Sequence, residues 1–289
     1  MTTRKKQAAP PGNGGFSLVS RARLLELYAA LLQCRMLEER ASVLLARDGL
    51  PASRRLGCEA SAVGVAIGLL PEDTLAVCHG SLSIHFMRGV PLRQLYALLR
   101  PAGACAGKAR RAAGASQHLA AIQPAASSQT DKAHRVAVVF CGAPAWKDAA
   151  HASWRQAMRR AGAGSLPVVF VRHSDADAKN RDRQAEHSGF PSIVVDGNDV
   201  VAIYRVASEA IAHARRGNGP TLIDCRITRQ RGEGMPSGRL AGDPVLNLEN
   251  YLAQRGLFAA KLKAEIAARF KRRLRSAQGF FAPGAGPHK

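Results

Sequence analysis

The sequence has no run of eighteen or more apolar residues, so no segment of it reads as a membrane-spanning helix. It also has no C-x-x-C pair. The six cysteines, at 34, 58, 78, 105, 141 and 225, are scattered, and most sit inside apolar runs. That excludes a disulfide frame or a thiolate zinc site and points to reduced, buried thiols in a cytoplasmic protein. Aromatic residues are scarce, at 5 %, which leaves few rings to stack on bases. Acidic residues are scarce as well: 21 stand against 42 Lys and Arg, a formal charge of +21. The N-terminus, MTTRKKQAAPPGNGG, is basic with no apolar stretch behind it, so it is not a secretory signal.

What is present is ordinary for a globular chain. With 289 residues, 46 % of them apolar, it can bury a core without metal or disulfide, as one large domain or two small ones. The excess of positive charge raises the question of a polyanionic partner. Its distribution argues against nucleic acid, because the basic residues spread over both tails, helix faces and loops. The clusters are short: Arg4, Lys5 and Lys6; Lys108, Arg110 and Arg111; Lys271, Arg272 and Arg273.

Residues 1–18 and 277–289 read as flexible tails around one domain at 19–276. Ser20 is placed to cap a helix running to about residue 47, with Leu24, Leu27, Tyr28, Leu31 and Leu32 at helical spacing. Residues 59–70 read as a buried small-residue helix, 74–79 as a short strand and 91–99 as a helix. Residues 101–134 are rich in Ala, Gly, Ser and Gln and read as a long loop. A β-α-β pattern follows, with strands at 135–141, 167–171, 192–195 and 220–227 and helices at 146–161 and 200–215. Residues 172–188 read as a polar loop, and two helices, at about 245–254 and 258–275, close the chain. Strands alternating with helices predict an α/β domain with a doubly wound, mostly parallel sheet and helical N- and C-terminal segments. In such a sheet ligands sit beyond the carboxyl ends of the strands.

The residues there form no familiar catalytic constellation. A Walker motif, G-x-G-x-x-G, G-x-S-x-G and H-E-x-x-H are all absent. His79, His85 and His118 are candidate acid–base groups without partners at readable spacing. Cys141 reads as a buried thiol. Asp175 and Asp177, two apart after the second strand of the β-α-β pattern, are able to share a magnesium ion, although a solvated acidic loop is the commoner arrangement.

Several strings, taken in order, resemble one family: the alpha subunit of the thiamine-diphosphate-dependent dehydrogenase component of pyruvate, branched-chain 2-oxo acid and acetoin dehydrogenase complexes. Residues 24–45 (LLELYAALLQCRMLEERASVLL) resemble its opening helix, and Gly57-Cys58-Glu59-Ala60 its "GQEA". Residues 114–118 (GASQH) resemble "GGSMH", and 135–145 (RVAVVFCGAPA) resemble "rVavaffGDGA". Residues 189–229 are similar to a "GiPgvxVDGND…GPtLIE…R" block, and 243–258 to "DPixrlrxyLxxxGll". The resemblance implies a thiamine-diphosphate-binding fold, thiamine diphosphate and Mg²⁺ as cofactors, and a heterotetramer with a beta subunit. It also implies a lipoyl acyltransferase downstream. The residues it would assign to cofactor are Ser116, His118 and Gly142, with Asp175 for the metal; the candidates for catalysis are His79 and His118, from the acid–base reading above.

The departures from the family fall on the chemistry. Ala143 and Pro144 replace the last two residues of "GDG", removing a carboxylate that would face a metal-bound diphosphate. In the family's "YRxHG", Gly80 stands for the Arg and Leu82 for the His. The family's "ENN" becomes His173-Ser174-Asp175, and "YRxxGHS" becomes Thr228-Arg229-Gln230-Arg231-Gly232-Glu233-Gly234. Only sixteen residues separate His118 from Arg135, too few for the family's Gly-rich helix. Lys147, Arg172 and Arg231 offer positive charge near the site, although diffuse charge does not reproduce metal geometry. The expectation is a kept fold with an eroded site. The chain would then be an impaired dehydrogenase alpha subunit or a non-catalytic pairing subunit, with an active subunit using Asp175 as the close competitor and a basic nucleic-acid-binding protein far behind.

Overall fold

The computed structural model describes residues 19–47, 58–77, 82–97, 122–123, 125–126, 135–141, 149–175, 189–228 and 242–278. In chain order the elements are α1 (Arg21–Arg47), α2 (Glu59–Ala66), β1 (Thr74–Val77), α3 (Leu82–Met87), α4 (Leu92–Ala97), β2 (Ala137–Cys141) and α5 (Ala149–Ala163). Then come β3 (Val168–Asp175), β4 (Ser192–Asp196), α6 (Val200–Arg215), β5 (Thr221–Ile227), α7 (Pro244–Gln254) and α8 (Ala260–Gln278). The five strands form one sheet in the order β1-β2-β3-β5-β4, and every pairing is parallel. The expected mostly parallel sheet is thus parallel throughout the described residues.

The inner strands β2, β3 and β5 carry apolar residues on both faces because both faces are covered. Val138, Phe140, Val169, Val171, Ile223 and Cys225 pack with α1, α2 and α6 in the main core. The alternating set, Ala137, Val139, Cys141, Val168, Phe170 and Leu222, packs against Trp154 and Met158 of α5. A third cluster joins Leu37 and Ala41 of α1 to Leu82, Leu95 and Tyr96 and to Phe270 and Leu274 of α8. The expected caps are in place: Ser20 Oγ accepts from the Arg23 amide at 3.2 Å, and Asp199 accepts from the amides of Val201 and Ala202. At Gly64, where α2 crosses α6, a Cβ would come within 2.7 Å of Ile203 Cγ2, so only glycine permits that crossing.

Three expectations need correction. The strand expected at 167–171 continues to Asp175, so residues 172–175 belong to β3 and not to a polar loop. The polar side chains of Arg172, His173 and Ser174 are tolerated there because each finds a partner, as described below. The helix α3 was not expected; its six residues are held by Leu82, Ser83 and Ile84, which are buried, and are too few to show a helical period. Within the expected loop at 101–134, residues 122–123 and 125–126 are helical, with Ile122 and Ala125 buried against the second core. The rest of 101–134, and both expected tails apart from residues 277–278 of α8, lie outside the described residues. No described helix is long and apolar enough to cross a membrane.

Candidate functional site

The carboxyl ends of β3 and β5 meet α2, and that junction is where the described part of the site lies. Parallel register sets Arg172 opposite Asp224 and His173 opposite Cys225. Side chains alternate across a strand, so Arg172 and Ser174 share one face and His173 takes the other.

On the first face Arg172 grips Asp224 with two hydrogen bonds, Nε to Oδ1 at 3.0 Å and Nη2 to Oδ2 at 2.6 Å. The Ser174 hydroxyl donates to Asp224 Oδ1 at 2.7 Å. Arg172 is 5 % exposed and Asp224 2 % exposed, so this is a desolvated pair. The bidentate fork supplies the geometry that lets two charges stay buried. Arg172 therefore does not offer a loose positive charge at the strand ends, which corrects the expectation made for it. The Cys141 thiol, at the end of β2, is pushed up to about 12 by burial, with Arg172 pulling weakly the other way. It is a packing group, as expected.

On the second face His173 Nε2 lies 2.6 Å from Ser61 Oγ, and that hydroxyl donates to the carbonyl of Cys58 at 2.7 Å. A serine hydroxyl has one proton; with that proton on Cys58 O, Nε2 is the donor to Oγ. The imidazole stands 6.1 Å from the Phe140 ring and is buried. His173 is thus turned into the sheet–helix seam. Leu82, standing where the resembled family has its His, is 2 % exposed and belongs to the third apolar cluster. Beside it the Ser83 amide and hydroxyl both donate to Glu38 Oε1, at 3.0 and 2.9 Å, which fixes the start of α3 to α1. His85, on α3, is held below the ordinary imidazole range by burial.

A neighbouring cluster was missed by residue-level reasoning. Arg35 of α1 is bound by its Nε to Glu59 of α2 and bidentately to Asp243, at 2.8 and 3.1 Å. Asp243 also caps α7, accepting from the amides of Val245 and Leu246. Burial works against the Arg35 charge, but Glu59 and Asp243 more than offset it and its pKa rises. Burial likewise works against the Asp243 carboxylate, and the Arg35 hydrogen bonds override it, holding the carboxyl below its usual range. Glu59 and Asp243 lie 24 and 208 positions from Arg35, so no spacing rule joins the three. The only sequence signal is that each lies in a string resembling the family.

Of the candidate site residues, Asp175 is the last residue of β3, opposite Ile227. His79, Ser116, His118 and Gly142 lie outside the described residues, as do Ala143, Pro144, Lys147, Asp177 and Arg231. Among the described residues no group of three or more His, Cys, Asp or Glu side chains is placed to hold a metal ion.

The family model of the dehydrogenase E1 component matches residues 34–279. The chain belongs to the dehydrogenase E1 component family. Its relatives within that family include the alpha subunit of acetoin:2,6-dichlorophenolindophenol oxidoreductase of Bacillus subtilis (strain 168), 29 % identical over 75 % of this chain and 73 % of the relative. The 3-methyl-2-oxobutanoate dehydrogenase subunit alpha of Mycobacterium tuberculosis (strain ATCC 25618 / H37Rv) is 28 % identical over 74 % of this chain and 66 % of its own length. The chloroplastic pyruvate dehydrogenase E1 component subunit alpha-3 of Oryza sativa subsp. japonica is 27 % identical over 86 % and 69 %. The E1 family implies thiamine diphosphate and Mg²⁺. Among the described residues Arg172 is paired with Asp224, His173 with Ser61, and Leu82, at a polar position of the resembled family, is buried.

Proposed function

We propose that this chain is an E1 alpha-type subunit that pairs with a beta-type subunit and does not hold thiamine diphosphate and Mg²⁺ itself. The observation that carries the reading is the closure of the strand ends. Arg172 with Asp224, and His173 with Ser61, consume on one another the polar groups that a cofactor would otherwise engage. The helices that build the fold are, by contrast, tied together by the Arg35–Glu59–Asp243 cluster, so the scaffold that a partner would recognise is well determined. Loss of an Arg–diphosphate contact and a metal carboxylate, at Gly80 and Ala143, lowers cofactor affinity by several powers of ten at about 1.4 kcal/mol per tenfold. Co-expression with a beta-type subunit, followed by light scattering, tests the pairing: a stable hetero-oligomer is expected, and a chain that elutes alone contradicts it.

A second reading is an active subunit for a 2-oxo acid or acetoin. It is favoured by the place of Asp175, a carboxylate-bearing residue at the carboxyl end of a central strand. Under it, Asp175→Ala abolishes Mg²⁺-dependent activity of the assembled enzyme; under the first reading the wild-type assembly shows no such activity to lose.

A further inference from the structure

The charge of +21 plays no part in the reading above, and the fold gathers a share of it on one surface. α8 carries seven Lys and Arg residues against a single acid, Glu265, and all eight are exposed. Helical periodicity turns Phe270 and Leu274 inward, where both are buried, and sets Lys261, Lys271, Arg272 and Arg275 on the opposite face. Two of the other basic residues already have partners. Arg273 lies over the rings of Phe86 and Phe270, at 5.9 and 5.5 Å, and Lys263 binds Glu249 at 2.8 Å.

The outer face is different. Lys261 approaches Glu265 only at 4.0 Å, with both side chains mostly in water (88 % and 63 % exposed), a contact of little strength. No ion pair among the described residues engages Lys271, Arg272 or Arg275. Arg272 and Arg275 are three apart and Lys271 and Arg275 four apart, so like charges face one another along the helix and oppose it. Ala264 and Ala268 lie between them, exposed and small, and leave the ridge low enough for another chain to approach.

We propose that the outer face of α8 docks an acidic segment of another protein, its carboxylates matched to Lys261, Lys271, Arg272 and Arg275. From Lys261 to Arg275 the face is about 21 Å long, the length of roughly fourteen helical residues. The side chains suit carboxylates, because guanidinium forks bind them bidentately. The face has no aromatic residue on which a base would stack, which favours a protein segment over nucleic acid. The proposal does not depend on whether the chain holds a cofactor.

The test is fluorescence anisotropy with the full chain and a labelled peptide of alternating Glu and Ala, about fourteen residues long, at about 0.15 M salt. The triple variant Lys271→Gln, Arg272→Gln, Arg275→Gln should bind at least about tenfold more weakly. The control carries Arg155→Gln, Arg159→Gln and Arg160→Gln on α5, where three arginines are also exposed; it should lose less than about twofold. Circular dichroism melting establishes that both variants fold. If the α8 triple variant does not, the milder pair Lys261→Gln and Arg275→Gln replaces it and should still bind more weakly than the control. Equal losses in both helices would mean diffuse attraction to a basic protein and would overturn the proposal. So would absence of binding, or tighter binding of duplex DNA than of the peptide at the same salt.

Discussion

Two polar clusters begin within the first turn of α2, one at Glu59 and one at Ser61, and they join different parts of the fold. The Glu59 cluster, with Arg35 and Asp243, is made of residues from three strings that resemble the E1 family. It docks α1, α2 and α7, with one guanidinium shared between two carboxylates. The Ser61 cluster reaches His173 on β3, whose neighbours Arg172 and Ser174 bind Asp224. His173 and Ser174 occupy, and Arg172 adjoins, the positions where the resembled family has "ENN", with Arg172 and Ser174 on the opposite face of β3 from His173. One cluster thus docks helices on one another, while at the strand ends the polar side chains find partners among themselves and on α2.

Breaking the docking cluster should have the largest effect. Arg35→Ala strands two carboxylates, one of them fully buried, and should cost about 3–5 kcal/mol in urea unfolding. A loss below about 1 kcal/mol would mean that solvent reaches the cluster. At the strand ends Asp224→Ala leaves a buried guanidinium with only its weaker contacts and should cost about 3 kcal/mol. The double replacement Arg172→Met, Asp224→Leu removes both charges and should return to within about 1 kcal/mol of wild type. If it does not, the pair has a role beyond satisfying itself.

The clusters also separate by pH. Asp243 titrates lower in the folded state than in the unfolded chain, so its contribution is present above the ordinary carboxylate range and is lost as pH falls through its depressed value. Acid unfolding should therefore be less steep in Arg35→Ala, where that depression is removed. The smallest effect expected of a single replacement is that of Ser61→Ala, about 1–2 kcal/mol, because it deprives the buried His173 Nε2 of its acceptor.

The legible part of this fold was the part written in apolar runs and end signals. Val138–Cys141 and Val168–Val171 announce buried parallel strands, and Ser20 and Asp199 sit at helix starts as capping chemistry requires. The end of β3 was not legible, because Arg172, His173 and Ser174 look like loop residues until Asp224 and Ser61 are brought beside them from 52 and 112 positions away. The docking cluster was hidden for the same reason: it is a contact between distant residues, which leaves no local period. Resemblance to a family marked Arg35, Glu59 and Asp243 without showing that they touch. Of the site itself, the sequence displayed which side chains are missing, at Gly80, Leu82, Ala143 and Pro144; it did not display that Arg172 and His173 are already engaged.

The central claim is that the scaffold of an E1 alpha-type subunit persists here without its grip on the cofactor. Titration calorimetry of thiamine diphosphate with Mg²⁺ tests it most directly, run on the chain alone and on its complex with a beta-type subunit. A variant carrying Gly80→Arg, Ala143→Asp and Pro144→Gly serves as the comparison. The account predicts no binding heat from the wild-type chain up to about 1 mM cofactor, with measurable binding appearing only as the family's side chains are restored. Wild-type binding at about 1 µM, alone or in the complex, would contradict it.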